Sequence, residues 1–431
     1  METQVKTQKK KIHYAWFVLF GMILIMTGTM GTVSSCMGVF TPSVAEDLQV
    51  PVAAVAVYFS VRTISMAVLQ PVAAWAFKKF DVRITITFAV LCANGGMMFL
   101  SQLHTIWGWY VIAFINGIGL AFICYMMVPV ILANWFVTHL STAIGIATAF
   151  TGIGGAVFSP LCGVWIASYG FRMSYILVGG VGMVLSLIGS ILLLRGYPTD
   201  KGLLPYGAEK LEKKGKPVEN EDGLTVKEML KVPQFFMIYL IVIFIFFGTA
   251  FMQDVTNMAV SKGFDIVHAA TVSTIMMIGI VVGKIGLGII NDHIGTKTSI
   301  VTGAALGIVA FAFLVQGGSA PLFVFIGAFL FGCCVGSMST TPPFAVRKAF
   351  GNKQYAKIYS YAATCGVLTS TIGHPVYAAV YDKFGNYNPV MVACAIALAL
   401  VIVLTFLSVD QCNARWDGTN KKYRPIKIDD K

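Results

Sequence analysis

The chain has 431 residues, of which 57% are hydrophobic and only 12% charged, and its net charge is +12. A soluble protein of this length carries roughly 25% charged residues, and here the charges cluster and leave long uncharged stretches, so an ordinary soluble domain is excluded. Each stretch can cross a bilayer as a helix, which takes about 20 apolar residues, and backbone groups in lipid must be satisfied internally, which selects helices over open sheets.

The first apolar run starts at Tyr14, after Lys9, Lys10 and Lys11, and continues to Phe40. It outruns the 7–15-residue apolar region of a signal peptide and is read as a spanning helix. The hydropathy pattern predicts twelve spans, at 14–39, 53–77, 84–102, 107–133, 140–167, 172–195, 234–258, 267–291, 298–316, 320–345, 358–381 and 388–409. The expected fold is therefore an all-α membrane protein of twelve transmembrane helices in two six-helix halves. Residues 1–195 form the first half, 196–233 a polar linker containing EKLEKKGKPVENEDG, 234–410 the second half and 411–431 a tail.

Lysine and arginine placement predicts orientation. With the N-terminus inside, the inner side collects Lys6, Lys9, Lys10, Lys11, Lys78, Lys79 and Arg83, then seven lysines of the linker. Further along it collects Lys297, Arg347, Lys348, Lys353, Lys357 and six basic residues of the tail, whereas the outer loops hold only Arg172, Lys262 and Lys383. A multi-pass protein of a cell inner (plasma) membrane with cytoplasmic termini is expected. The positive charge then faces anionic lipid rather than nucleic acid.

Inside the spans, ionisable residues are few, and such residues at depth mark transport pathways. Lys284, in GIVVGKIGLGIINDHIG, lies about 12 Å along the helix from the loop at Asp292. Snorkelling to the interface is a long reach from there. A phosphate loop does not fit, because the spacing from Gly279 is short and Ile285 replaces the magnesium-binding hydroxyl. Arg62, in VYFSVRTISMAVLQP, stands near the centre of the second span with no acid in the first six spans to pair with it. It is either a second substrate cation or a structural arginine bonded to backbone carbonyls of a neighbouring helix. Asp254, at the outer end of span seven, is the one acid that falls within a span, and His374 precedes Pro375 in span eleven. These two are candidate coupling groups, against the simpler readings of a mouth-lining acid and a histidine bonded to a carbonyl freed by the proline. Tyr125 offers a hydroxyl and a ring face to a small anion, or merely packs. The nine cysteines lack metal-ligand spacing and are read as small packing residues, without disulfides. No metal or other cofactor is expected, and no H-E-x-x-H, nucleophile elbow or nucleotide loop suggests an enzyme.

The loop after span eight, GLGIINDHIGTK, keeps a G-x-x-x-D-[RK]-x-G-x-[RK] pattern through Gly288, Asp292, Gly295 and Lys297, with His293 in the basic slot. With six plus six spans and a polar middle loop, this resembles the major facilitator superfamily, and the motif implies a loop that governs conformation. The equivalent loop after span two, AWAFKKFDVR, is degenerate, with Ala74, Lys78 and Asp81 at the glycine, aspartate and second glycine positions. A narrower likeness runs through YMMVPVILANWFVTHLSTAIGIATAFTGIGGAVFSP. Tyr125, Pro129, Trp135, Phe136, the glycines at 145, 152, 154 and 155, and Pro160 resemble the oxalate/formate antiporter and monocarboxylate transporter branch, as does YPTDKGLLPYG after span six. VTHL replaces the charged cluster usual in that branch. The branch carries a carboxylate-binding arginine four residues before the motif glycine, where this chain has Lys284. Lysine offers a point charge in place of a bidentate fork. The branch's second cation, in span eleven, is missing at Cys365-Gly366, and Arg62 would supply it from the other half.

The resemblance implies a monomeric secondary transporter of small mono- or dicarboxylates working by alternating access, as an anion exchanger or a proton symporter. Two alternatives stand beside it. One is an exporter of amphipathic compounds, suggested by 20 methionines and 31 phenylalanines. The other is a membrane sensor that binds without transporting.

Overall fold

The computed structural model describes residues 13–208, 224–230, 234–264, 266–317, 321–351 and 353–416. Ten helical windows within it are long and apolar enough to cross a membrane. The window Leu140–Leu193 would be about 81 Å long if straight. It breaks at Gly170, whose φ of 78° and ψ of 162° lie outside the helical region, and so contains two spans. Tyr355–Phe384 completes twelve.

In chain order these are α1 (Tyr14–Thr41), α2 (Val52–Lys79), α3 (Val82–Gln102), α4 (Ile106–Trp135), α5 and α6 (140–169 and 171–193), α7 (Gln234–Ala250) and α8 (Ile266–His293). They continue as α9 (Thr296–Gln316), α10 (Pro321–Phe350), α11 (Tyr355–Phe384) and α12 (Asn388–Trp416). Span seven ends earlier than hydropathy predicts. After Ala250 the chain makes a 3-10 turn, Phe251–Gln253, and starts a separate short helix, Val255–Ser261. Gln253 and Asp254 fall at this break, but Val255, Met258, Ala259 and Val260 resume the apolar run beyond it, so hydropathy averaged over a span carries straight across.

Small residues set the packing, because without a solvent driving force in lipid the helices gain most by close backbone approach. A Cβ added to Gly31 of α1 would lie 2.8 Å from Gly154 of α5. Buried hydroxyls and an amide tie the same bundle together: Asn94 of α3 donates to Thr29 of α1 at 2.8 Å, and Thr29 bonds Ser186 of α6 at 2.9 Å. After the linker, α8 packs on α10, α10 on α9, α9 on α12 and α12 on α7. Helices from before and after the linker meet along α5 with α8 and α2 with α11. Large apolar side chains such as Val68, Ile84, Leu192 and Ile372 remain exposed on the outside, where lipid is their solvent.

The odd-numbered helices start, and the even-numbered ones end, on the side that carries the linker. There two pieces singled out by the sequence meet. Tyr206, from YPTDKGLLPYG, takes Trp135 O as acceptor at 2.8 Å and stacks edge-on against Trp16, while Trp135 donates its indole N–H to Arg195 O at 2.8 Å. The start of the linker is thus strapped across the ends of α1 and α4. Leu224, beyond the linker's undescribed middle, donates to Phe350 O of α10 at 2.8 Å.

Candidate functional site

Lys284 lies on the face of α8 that meets α5. The approach is close: a Cβ on Gly145 of α5 would sit 2.4 Å from Lys284 O, and one on Gly336 of α10 would sit 2.7 Å from Lys284 N. Glycine at both positions lets the backbone pass. The side chain is 9% exposed. Its Nζ donates to Thr148 O at 3.0 Å and to Thr151 Oγ1 at 2.9 Å, both on α5. Both acceptors are neutral, and no carboxylate pairs with this group among the described residues. An ammonium has three N–H donors, so one remains for a ligand.

Arg62 of α2 donates Nη1 to Val33 O at 3.0 Å, within the π-helical stretch Met26–Ser34 of α1. Its guanidinium lies 5.3 Å from the Phe59 ring centre and 5.8 Å from that of Tyr58. The bond to a neighbouring helix's carbonyl is the structural role considered above, yet it uses one of five donors. Cys124 of α4 lies within electrostatic range of both Arg62 and Lys284. Next to it, Tyr125 directs its hydroxyl to Met338 Sδ of α10 at 3.9 Å and packs edge-on to Phe246 of α7 at 5.6 Å. Tyr125 thus touches the second half of the chain from the first.

Asp254 lies apart from this group, between the 3-10 turn and the short helix after α7, where its charge is felt by Tyr377, Tyr387 and Cys394. His374 belongs to α11, and its side chain lies outside the described residues.

The loop motif forms a clamp. Asp292 accepts from Ser141 N at 3.0 Å with one oxygen, and from Thr142 N and Oγ1 at 2.7 Å each with the other. These are the first N–H groups of α5, which have no partners within the helix. A carboxylate there also meets the positive end of the helix dipole. Gly288 makes room, since its Cβ would sit 2.5 Å from Ser141 O. Gly295 turns the chain at φ 122°, and Lys297 places Nζ 4.5 Å from the Phe406 ring of α12. The linker side is closed at this point.

The sequence did not single out Thr148, Thr151 or Cys124. The two threonines lie three residues apart in the glycine series of α5, a polar stripe that could have suggested a contact face.

The model of the Major Facilitator Superfamily matches residues 23–374, and the chain belongs to that family of membrane transporters, which are not enzymes. It is 25% identical to the oxalate:formate antiporter of Oxalobacter formigenes, covering 91% of each chain. It is 23% identical to the uncharacterized MFS-type transporter YhjX of Escherichia coli, over 80% of this chain and 83% of that one. Monocarboxylate transporter 12 of Xenopus laevis is 21% identical over 66% of each. In fold it is similar to the proton:xylose symporter XylE, with a TM-score of 0.72, 12% identity and coverage of 94% and 99%. The E. coli fucose:proton symporter FucP gives a TM-score of 0.68 at 14% identity, covering 91% and 98%. The protein is a multi-pass carrier of small molecules in a lipid bilayer.

Proposed function

We propose that this transporter carries small carboxylates by alternating access, in exchange for another anion. One observation carries the reading: Lys284 is buried at the contact of α5 and α8, bonded only to a carbonyl and a hydroxyl. Burying a charge without a counter-ion is costly, and a bound carboxylate offsets part of that cost. Arg62 adds a second cation around Cys124, and Tyr125 a ring face. With one donor left on Lys284 and four on Arg62, the donors available suit one carboxylate on each, as in a dicarboxylate, or a single carboxylate on Lys284 alone. The relatives support this choice of chemistry, one being an oxalate:formate antiporter and another a monocarboxylate transporter.

The linker side faces the cytoplasm in this reading, by its lysines and arginines. Residues 1–195 and 234–410 act as the two rocking bodies, joined by 196–233. The test is a thermal-unfolding screen of the purified protein against mono- and dicarboxylates. A ligand at 100 times its Kd stabilises by about 2.7 kcal/mol. Lys284→Ala should lose the response to carboxylates while unfolding no earlier than the parent, and Lys284→Arg should keep part of it. A carboxylate response in Lys284→Ala equal to the parent's would refute the anchor.

A further inference from the structure

Two departures from the resemblance noted in the sequence come together in the fold. His293 fills the basic slot of the loop motif, and His139 lies in the VTHL turn where a charged cluster is missing. Their ring centres are 6.1 Å apart with planes inclined at 57°. Both side chains are exposed, and neither imidazole has a hydrogen-bond partner among the described residues. His139 stands before α5 and His293 ends α8, so the pair joins the part of the chain before the linker to the part after it.

We propose that His139 and His293 form a transition-metal site that holds the linker side of the carrier shut. A metal–imidazole nitrogen distance of 2.0–2.1 Å puts the ring centre roughly 3.2 Å from the ion. Two rings on one ion then have centres roughly 5 to 6.4 Å apart, from a tetrahedral to a straight arrangement. The observed 6.1 Å falls inside that interval, so the two rings stand at a separation that one shared ion requires. The neighbouring carboxylate of Asp292 is occupied with Ser141 and Thr142. No group of three or more metal-binding side chains converges among the described residues. The site therefore has two protein ligands, with water completing the shell, and it responds to free ions instead of holding a resident one. Imidazole ligands select Cu2+, Ni2+ and Zn2+ over Mg2+ and Ca2+. Opening the linker side separates α5 from α8 and breaks the bridge, so the ion favours the closed form. At 100 times its Kd the closed-to-open ratio rises about 100-fold. The proposal does not depend on which substrate is carried.

The test uses the purified full-length protein, titrated with NiCl2 or ZnCl2 while thermal unfolding is followed. The midpoint should rise, EDTA should reverse the rise, and MgCl2 should have no effect. His139→Asn, which tolerates the left-handed backbone at φ 60°, and His293→Lys, which restores a basic residue to the slot, should each remove the response. Spin labels at positions 78 and 353, in a background without native cysteines, provide a second readout. Nickel should collect their distances into the short population only when both histidines are present. No rise with either ion, a rise that survives either substitution, or a nickel-insensitive distance distribution would each overturn the bridge.

Discussion

Asp292 holds the start of α5 through Thr142, whose backbone N–H and hydroxyl both reach one carboxylate oxygen at 2.7 Å. Two helices separated by the whole linker are thus joined by a charge set on a helix N-terminus. Asp292→Asn replaces one acceptor oxygen with an N–H2 that faces other donors. Hydrogen bonds to charged groups contribute about 1.5–3 kcal/mol, and the closed form should lose a comparable amount. Spin labels at 78 and 353 should then report a larger long-distance population. An unchanged distribution would show that the clamp does not set the equilibrium.

Gly145 and Lys284 test the same contact through sterics. A Cβ at position 145 meets Lys284 O at 2.4 Å, whereas one at Gly286 meets nothing within 4 Å. Gly145→Val should destabilise the protein by about 1–3 kcal/mol through overpacking, visible as an earlier thermal midpoint. Gly286→Ala should stay within about 0.5 kcal/mol of the parent or gain slightly. Equal behaviour of the two variants would contradict the helix contact described here.

Arg62 is tied to Val33 O and lies within electrostatic range of Cys124. Arg62→Met keeps much of the side-chain volume and removes the charge. Carboxylate affinity should fall at least about tenfold, equivalent to 1.4 kcal/mol, and Arg62→Lys should recover part of it. Affinity is read from ligand-dependent unfolding. Parental affinity in Arg62→Met would leave this residue as a structural tie between α1 and α2.

Coupling is tested by transport. Asp254 lies near Tyr377 and Tyr387, apart from Lys284 and its threonines. Asp254→Asn should leave exchange of a labelled carboxylate against the unlabelled one largely intact. In the parent, exchange should run much faster than net uptake into vesicles without internal anion. The empty carrier must otherwise return with its buried cations unneutralised. Equal rates would argue against neutralisation by substrate. Loss of pH-driven uptake in Asp254→Asn would instead assign proton coupling to Asp254.

The spans, their number and the loop motif are legible in the chain itself, because hydropathy and short-range spacing are properties of consecutive residues. Lipid demands about 20 apolar residues wherever a helix crosses, so each crossing leaves its mark. Lys284 and Arg62 stand out for the same reason, as charges inside apolar runs. What surrounds them was decided by the tertiary structure. The bonds of Lys284 to Thr148 and Thr151, of Arg62 to Val33 and of Asp292 to Thr142 depend on how each helix is rotated and how closely glycines let it approach. The facing of His139 and His293 has the same origin, since 154 positions of chain separate them and no local pattern records that distance. The end of α7 at Ala250 was hidden for a different reason: the 3-10 turn and the residue after it bring only Gln253 and Asp254 as polar residues before the apolar run resumes at Val255, too short an interruption to mark a helix end in hydropathy averaged over a span.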